Sequence, residues 1–107
     1  MRVGGGSARG RRLRGTLSPA ARPTTGRVRA AIFNILRPGV FQDGRVLDLY
    51  AGSGSLGIES LSQGAAWADF VEQNRRQCQV IQQNLLDTGF DSQAQVHCAD
   101  VEKYLTA

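Results

Sequence analysis

The stretch LDLYAGSGSLGIES, Leu47–Ser60, sets three glycines (Gly52, Gly54 and Gly57) within six residues, with the acid Asp48 just before them and apolar residues on either side. Glycine lets a backbone turn through left-handed conformations, or approach another group with no Cβ in the way. An apolar run, a glycine cluster and a second apolar run together read as strand, tight loop and helix, the arrangement of a nucleotide-binding turn. A plain structural turn is the competing reading of the same pattern.

The flanking sequence supplies a context. Arg45–Tyr50 is apolar enough for a buried parallel strand. A helix is expected from about Ser55 to Gln63, stopped by Gly64. Ala68–Glu72 predicts a second strand, and Asn74 opens a longer helix to about Asp87, with Cys78, Ile81, Leu85 and Leu86 at helical spacing and Gly89 as its stop. Gln95–Ala99 predicts a third strand, and Asp100 a last helix through Leu105. Alternating strands and helices imply parallel strands with right-handed crossovers, an α/β fold that is half of a doubly wound sheet. Before this unit, Val3, Leu13 and Leu17 are spaced like a short hairpin, and Thr24 or Thr25 can cap a helix to about Leu36, ended by Pro38-Gly39. The expected division is a basic segment over 1–21 and an α/β unit over 22–107.

In such a fold ligands bind at the carboxyl ends of the strands. Each predicted strand end carries a ligand-type group: the glycine loop after the first, Glu72 at the end of the second and Asp100 just past the third. Glu72 lies twenty residues beyond Gly52, where a carboxylate accepts hydrogen bonds from ribose hydroxyls. The register Gly52-Ser53-Gly54-Ser55-Leu56-Gly57 matches the dinucleotide pattern G-x-G-x-x-G, so a nicotinamide-dependent oxidoreductase stays open at this point.

Charge is distributed unevenly. The formal net charge is +4, but residues 1–45 hold ten arginines against one acid, Asp43, whereas the remainder holds three basic residues against eight acids. Arginine pairs phosphates bidentately and stacks on bases, so a basic segment beside an acidic domain points to a nucleic-acid partner. A nucleic-acid-binding module without catalysis fits this feature alone. No apolar stretch approaches the roughly 20 residues needed to span a bilayer, so no membrane partner is expected. The basic start is not followed by an apolar segment, and two thiols without metal-type spacing read as reduced. Together these imply a cytoplasmic protein. Cys78 and Cys98 are expected to be buried apolar residues, and His97 a structural residue with no proton-transfer partner in view. Trp67 and Phe70 read as packing residues, Arg75 and Arg76 as a solvated helix face, and Tyr50 equally as core or pocket lining.

Asp48, followed by Tyr50-Ala51-Gly52-Ser53-Gly54, resembles motif I of Rossmann-like S-adenosylmethionine-dependent methyltransferases, in its aromatic variant. With RPTTGRVRAAIFNIL (Arg22–Leu36), LDLYAGSGSLGIESLSQGA (Leu47–Ala65) and the start RVGGGSARGRRL, the chain resembles the bacterial 16S ribosomal RNA guanine-N2 methyltransferase family of the RsmD type. VEQN (Val71–Asn74) and CAD (Cys98–Asp100) fall where that family's next cofactor motifs are expected.

The resemblance implies a Rossmann-like methyltransferase fold, S-adenosyl-L-methionine as cofactor and 16S ribosomal RNA, or a small-subunit assembly intermediate, as partner. It implies that Asp48, Gly52, Ser53 and Gly54 surround the methionine part of the cofactor, that Glu72 takes its ribose hydroxyls and Asp100 faces its adenine amino group, and that Tyr50, Leu56, Gln73 and Val101 also belong to the cofactor site. Thr24, Thr25 and Arg27 would close the pocket. Arg2, Arg9, Arg11, Arg12, Arg14 and Arg22 would hold RNA phosphates, with the target guanine presented unstacked. DNA or another RNA is the alternative substrate within this class. The family's Asn/Asp-Pro-Pro-Tyr/Phe motif, which holds the guanine amine, has no match here: the prolines are Pro19, Pro23 and Pro38. The expectation is therefore an incomplete methyltransferase fold with no catalytic residues of its own, inactive in isolation. Its first strand would be an unpaired apolar edge open to self-association.

Overall fold

The computed structural model describes residues 2–15, 43–49 and 51–106. Three strands form one parallel sheet in the order β1-β2-β3, with β1 at Arg45–Leu49, β2 at Trp67–Glu72 and β3 at Ala94–Cys98. Helix α1 (Ser55–Ser62) links β1 to β2, α2 (Arg75–Thr88) and a short 3-10 turn (Asp91–Gln93) link β2 to β3, and α3 (Val101–Thr106) follows. This is the α/β order read from the sequence. The 3-10 turn is an addition, and β3 starts one residue early because Ala94 pairs with Ala68. The expected helix over Thr24–Leu36, and Leu17 of the expected hairpin, lie outside the described residues.

Local signals explain the helix ends. The Asn74 side chain accepts a hydrogen bond from the Gln77 amide at 3.1 Å, which caps α2. At the other end Gly89 takes φ 81°, and the amides of Gly89 and Phe90 donate to the carbonyls of Leu86 and Leu85. These are the two bonds of a Schellman motif, and buried Phe90 supplies its apolar contact.

β2 is the central strand. Phe70 from β2, Ile58 from α1 and Ile81 and Leu85 from α2 are fully buried, each worth roughly 1.5–3 kcal/mol of transfer free energy. Val3, Ala8 and Leu13 belong to this same cluster, so the basic segment docks on the α/β unit through its own apolar side chains.

Among the described residues the hairpin expected there is reduced to one antiparallel bridge, Arg2 with Arg12. The ladder stops because the next amides are drawn elsewhere: Gly4 and Gly5 donate to the Glu59 carboxylate of α1 at 2.6 and 3.0 Å. Ser7 donates to the Ser62 carbonyl, and the Ala8 amide to the Ser62 hydroxyl. Gly6 has φ 79°, and a Cβ there would sit 1.7 Å from the Ser62 carbonyl oxygen. The Gly4-Gly5-Gly6 run is therefore a surface for close approach to α1.

Candidate cofactor site

The loop after β1, the end of β2 and the residue after β3 meet at one end of the sheet. Asp48 and Glu72 frame that loop. The Asp48 carboxylate accepts the Gly57 amide hydrogen at 3.0 Å. Helix α1 starts after Gly54, which has no side chain to cap it, so Asp48 satisfies an orphan amide of the first turn from outside the helix. The expected role for Asp48 was beside a ligand; one of its oxygens is committed to the helix, and among the described residues the other has no partner. Burial pushes the Asp48 carboxyl up from 3.8 to about 6, the Gly57 amide opposing and the nearby Glu72 charge adding to the rise.

Glu72 is buried, and each of its oxygens accepts one backbone amide: Gly52 at 3.0 Å and Asn74 at 2.9 Å. A carboxylate has about four lone-pair positions, so two are left for hydroxyl donors. Glu72 thus holds the glycine loop against the start of α2.

The two loop glycines differ. Gly52 has φ 60° and open space where a Cβ would project, so the loop backbone is accessible there. Gly54 has φ 80°, but a Cβ there would press on Ile81 and Phe70 at 3.1–3.3 Å. The Cβ side of Gly54 faces the core, so packing against Ile81 and Phe70 already calls for a glycine here. Ser53 between them is 1% exposed, and its hydroxyl has no partner among the described residues.

The remaining candidates are spread along this edge. Leu56 is half-buried and Gln73 exposed. Asp100 is exposed and accepts the Lys103 amide at 3.1 Å, so it starts α3, with Val101 buried beside it. Thr24, Thr25, Arg27, Arg22 and Tyr50 lie outside the described residues.

On the basic segment Arg2 donates to the Gly10 carbonyl at 3.0 Å. Arg14 lies 3.4 Å from Asp87. Arg9, Arg11 and Arg12 are exposed, without an ion pair among the described residues. Arg12, Leu13, Arg14 and Asp87 line a cleft of about 310 Å³.

One side residue departs from expectation. Cys98 is exposed rather than buried, because β3 lies at the edge of the described sheet. His97 is a satisfied structural residue, as expected: it pairs with Asp69 of the central strand at 2.9 Å, and its ring stacks at a tilt on Tyr104, 4.7 Å away. Cys78 is buried as expected, and burial, with Cys98 nearby, pushes its thiol up to about 12.

Sequence reasoning missed Glu59, Ser62 and Asn84. Glu59 and Asn84 are 2% and 0% exposed. A signal existed: Asn84 sits next to Leu85 on the apolar stripe of α2, and a polar residue inside such a stripe is the informative exception.

The whole chain, residues 1–107, matches the family described as conserved hypothetical protein 95. The chain belongs to that family. It is 43% identical over 107 residues to "Putative rRNA methyltransferase YlbH" of Bacillus subtilis (strain 168), covering 100% of this chain and 58% of that protein. It is 48% identical over 85 residues to ribosomal RNA small subunit methyltransferase D of Escherichia coli (strain K12), covering 79% of this chain and 42% of that one. Among solved structures, yhhF from Escherichia coli superposes with a TM-score of 0.84 at 40% identity, covering 98% of this chain and 55% of the other. The chain thus spans about half the length of these relatives. The family's fold extends to this chain, and the parallel order β1-β2-β3 is its Rossmann-like core. Among the described residues no helix is long and apolar enough to cross a membrane.

Proposed function

We propose that this chain forms the cofactor-binding portion of an S-adenosylmethionine-dependent methyltransferase acting on 16S ribosomal RNA, with the exocyclic N2 amine of a guanine as acceptor. The observation that carries this reading is the Gly52–Gly54 loop framed by Asp48 and Glu72, in a chain 48% identical over 85 residues to a small-subunit rRNA methyltransferase. The groups at this edge suit that cofactor. The Asp48 oxygen that has no partner among the described residues favours the methionine ammonium, and the lone pairs of Glu72 not taken by the Gly52 and Asn74 amides favour ribose hydroxyls. The open face of Gly52 admits the ligand close to backbone, and the buried Ser53 hydroxyl is a polar group still to be satisfied.

In this reading Leu56 and Tyr50 flank the methionine part, Gln73 lies near the ribose, Asp100 and Val101 meet the adenine, and Thr24 and Arg27 close the site from the amino-terminal side. The cofactor's sulfonium supplies the methyl group; these residues bind and orient. The basic segment holds RNA phosphates through Arg2, Arg9, Arg11, Arg12, Arg14 and Arg22, supported by the exposure of Arg9, Arg11 and Arg12, which have no ion pair among the described residues.

Calorimetric titration with S-adenosylmethionine tests the reading, with NAD and the Asp48→Ala variant as controls. Saturable binding that the variant loses supports it. Binding of NAD in preference would revive the oxidoreductase reading of the glycine pattern. Salt-dependent RNA binding by a folded chain with no affinity for S-adenosylmethionine would leave a non-catalytic RNA-binding module, the reading that the exposed arginines favour by themselves.

A further inference from the structure

Asn84 of α2 is fully buried and touches two segments that are far apart in the chain. Its Oδ1 accepts the Arg14 amide at 2.7 Å, and its Nδ2 donates to the Arg14 carbonyl at 3.1 Å and to the Ser53 carbonyl at 2.9 Å. Both hydrogens of the side-chain amide are used, one on the arginine-bearing segment and one on the glycine loop. Glu72 fixes the Gly52 amide and the Ala51 carbonyl accepts the Gly54 amide, so the bond from Asn84 to the Ser53 carbonyl is what ties the middle of the loop to the arginine-bearing segment; the Ser53 hydroxyl is without a partner among the described residues.

We propose that Asn84 is a positioning residue that couples the two halves of the site, so that RNA held by the basic segment and the adenosyl cofactor held by the glycine loop each strengthen the binding of the other. The proposal rests on the functional reading above. The physical basis is that a buried amide group is costly to leave unsatisfied, so displacement of Arg14 is felt at Ser53 through a single planar group. Asparagine suits the position because one end must accept an N–H while the other donates to two carbonyls. Aspartate cannot donate, and leucine can do neither. The Arg14–Asp87 ion pair lies one turn further along the same helix and is exposed, so the link runs through the Arg14 backbone rather than its side chain.

The test is calorimetric titration of S-adenosylhomocysteine into the 107-residue chain, with and without a saturating short single-stranded oligoribonucleotide of mixed sequence. The native chain is expected to bind about five-fold or more tightly with RNA present, the usual lower range of coupling between sites. In Asn84→Asp that ratio falls to one. Arg14→Pro deletes the amide hydrogen from the other side while leaving Asn84 itself intact, and also abolishes the ratio. Arg14→Ala keeps the hydrogen and keeps the ratio, though RNA binds more weakly. A merely structural role for Asn84 would lower the melting temperature but leave the ratio unchanged. If Asn84→Asp fails to fold, the comparison of Arg14→Pro with Arg14→Ala decides. The proposal is overturned if the native chain binds both ligands with a ratio of one, or if Arg14→Pro keeps the native ratio. A native chain that binds no S-adenosylhomocysteine at all is a different result, and overturns the functional reading with it.

Discussion

The Asp48 carboxylate sits 3.0 Å from the Gly57 amide and caps α1 from the neighbouring strand. That bond ties the acid of the glycine motif to the helix that follows it, and the last glycine of the motif is a packing residue. Gly57 lies against Phe70, the largest side chain of the buried core.

Gly57→Ala tests that contact. Alanine is favoured over glycine inside a helix by about 1 kcal/mol, yet its Cβ would fall 2.3 Å from Phe70 Cε1. Phe70 has no room to yield, and overpacking of this kind costs about 1–3 kcal/mol. The clash outweighs the propensity gain. The expected outcome is a melting temperature several degrees lower, read by circular dichroism; a higher one would refute the close packing.

Asp48 makes stability depend on pH. Its carboxyl titrates at about 6 in the folded chain against 3.8 for the free group, so between these values the folded state binds the extra proton. Stability contributed here is therefore greatest at the acid end and falls as pH rises through about 6, by an amount on the order of 3 kcal/mol. Asp48→Asn, which keeps an acceptor for Gly57 and cannot ionise, should flatten this component. Urea midpoints for the two proteins, measured on both sides of that window, give the comparison; equal pH slopes would count against it.

Gly6→Ala should undock the basic segment. The substitution demands φ 79° of an alanine and sets its Cβ 1.7 Å from the Ser62 carbonyl oxygen. A left-handed conformation alone costs roughly 1–2 kcal/mol, and the backbone clash adds to it. Trypsin cleavage after Arg9, Arg11 and Arg12 should accelerate markedly over the native chain, while the sheet and helices keep their far-ultraviolet signal. Unchanged cleavage would mean the segment is held in some other way.

Arg12→Ala should weaken RNA binding uniformly across sequences and lower the slope of log affinity against log salt by about one unit. Arg14→Ala should have a smaller effect, because Arg14 already faces Asp87 at 3.4 Å. Fluorescence anisotropy over a salt series measures both slopes; equal effects from the two variants would contradict the inequality.

Much of the fold was legible because its signals are local. The apolar runs of β1 and β2, the Asn74 cap and the Gly89 stop each lie within a few residues of the structure they specify. The glycine loop was legible as a candidate site for the same reason. The partners of its side chains were not. Gly54 proved to face the core, Asp48 proved to cap a helix, and the hairpin expected from Val3 and Leu13 gave way to contacts with α1.

Periodicity, glycine spacing and charge were thus enough to establish a parallel α/β unit, a glycine loop at its strand ends and an arginine-rich partner segment. How that segment meets the loop was left to Glu59, Ser62 and Asn84, which reach residues 54 to 70 positions away. Such hydrogen bonds have no period and no local composition. They exist only once β2, α1 and α2 have packed and buried polar atoms whose desolvation must be offset by a partner, and packing alone selects which partner is within reach.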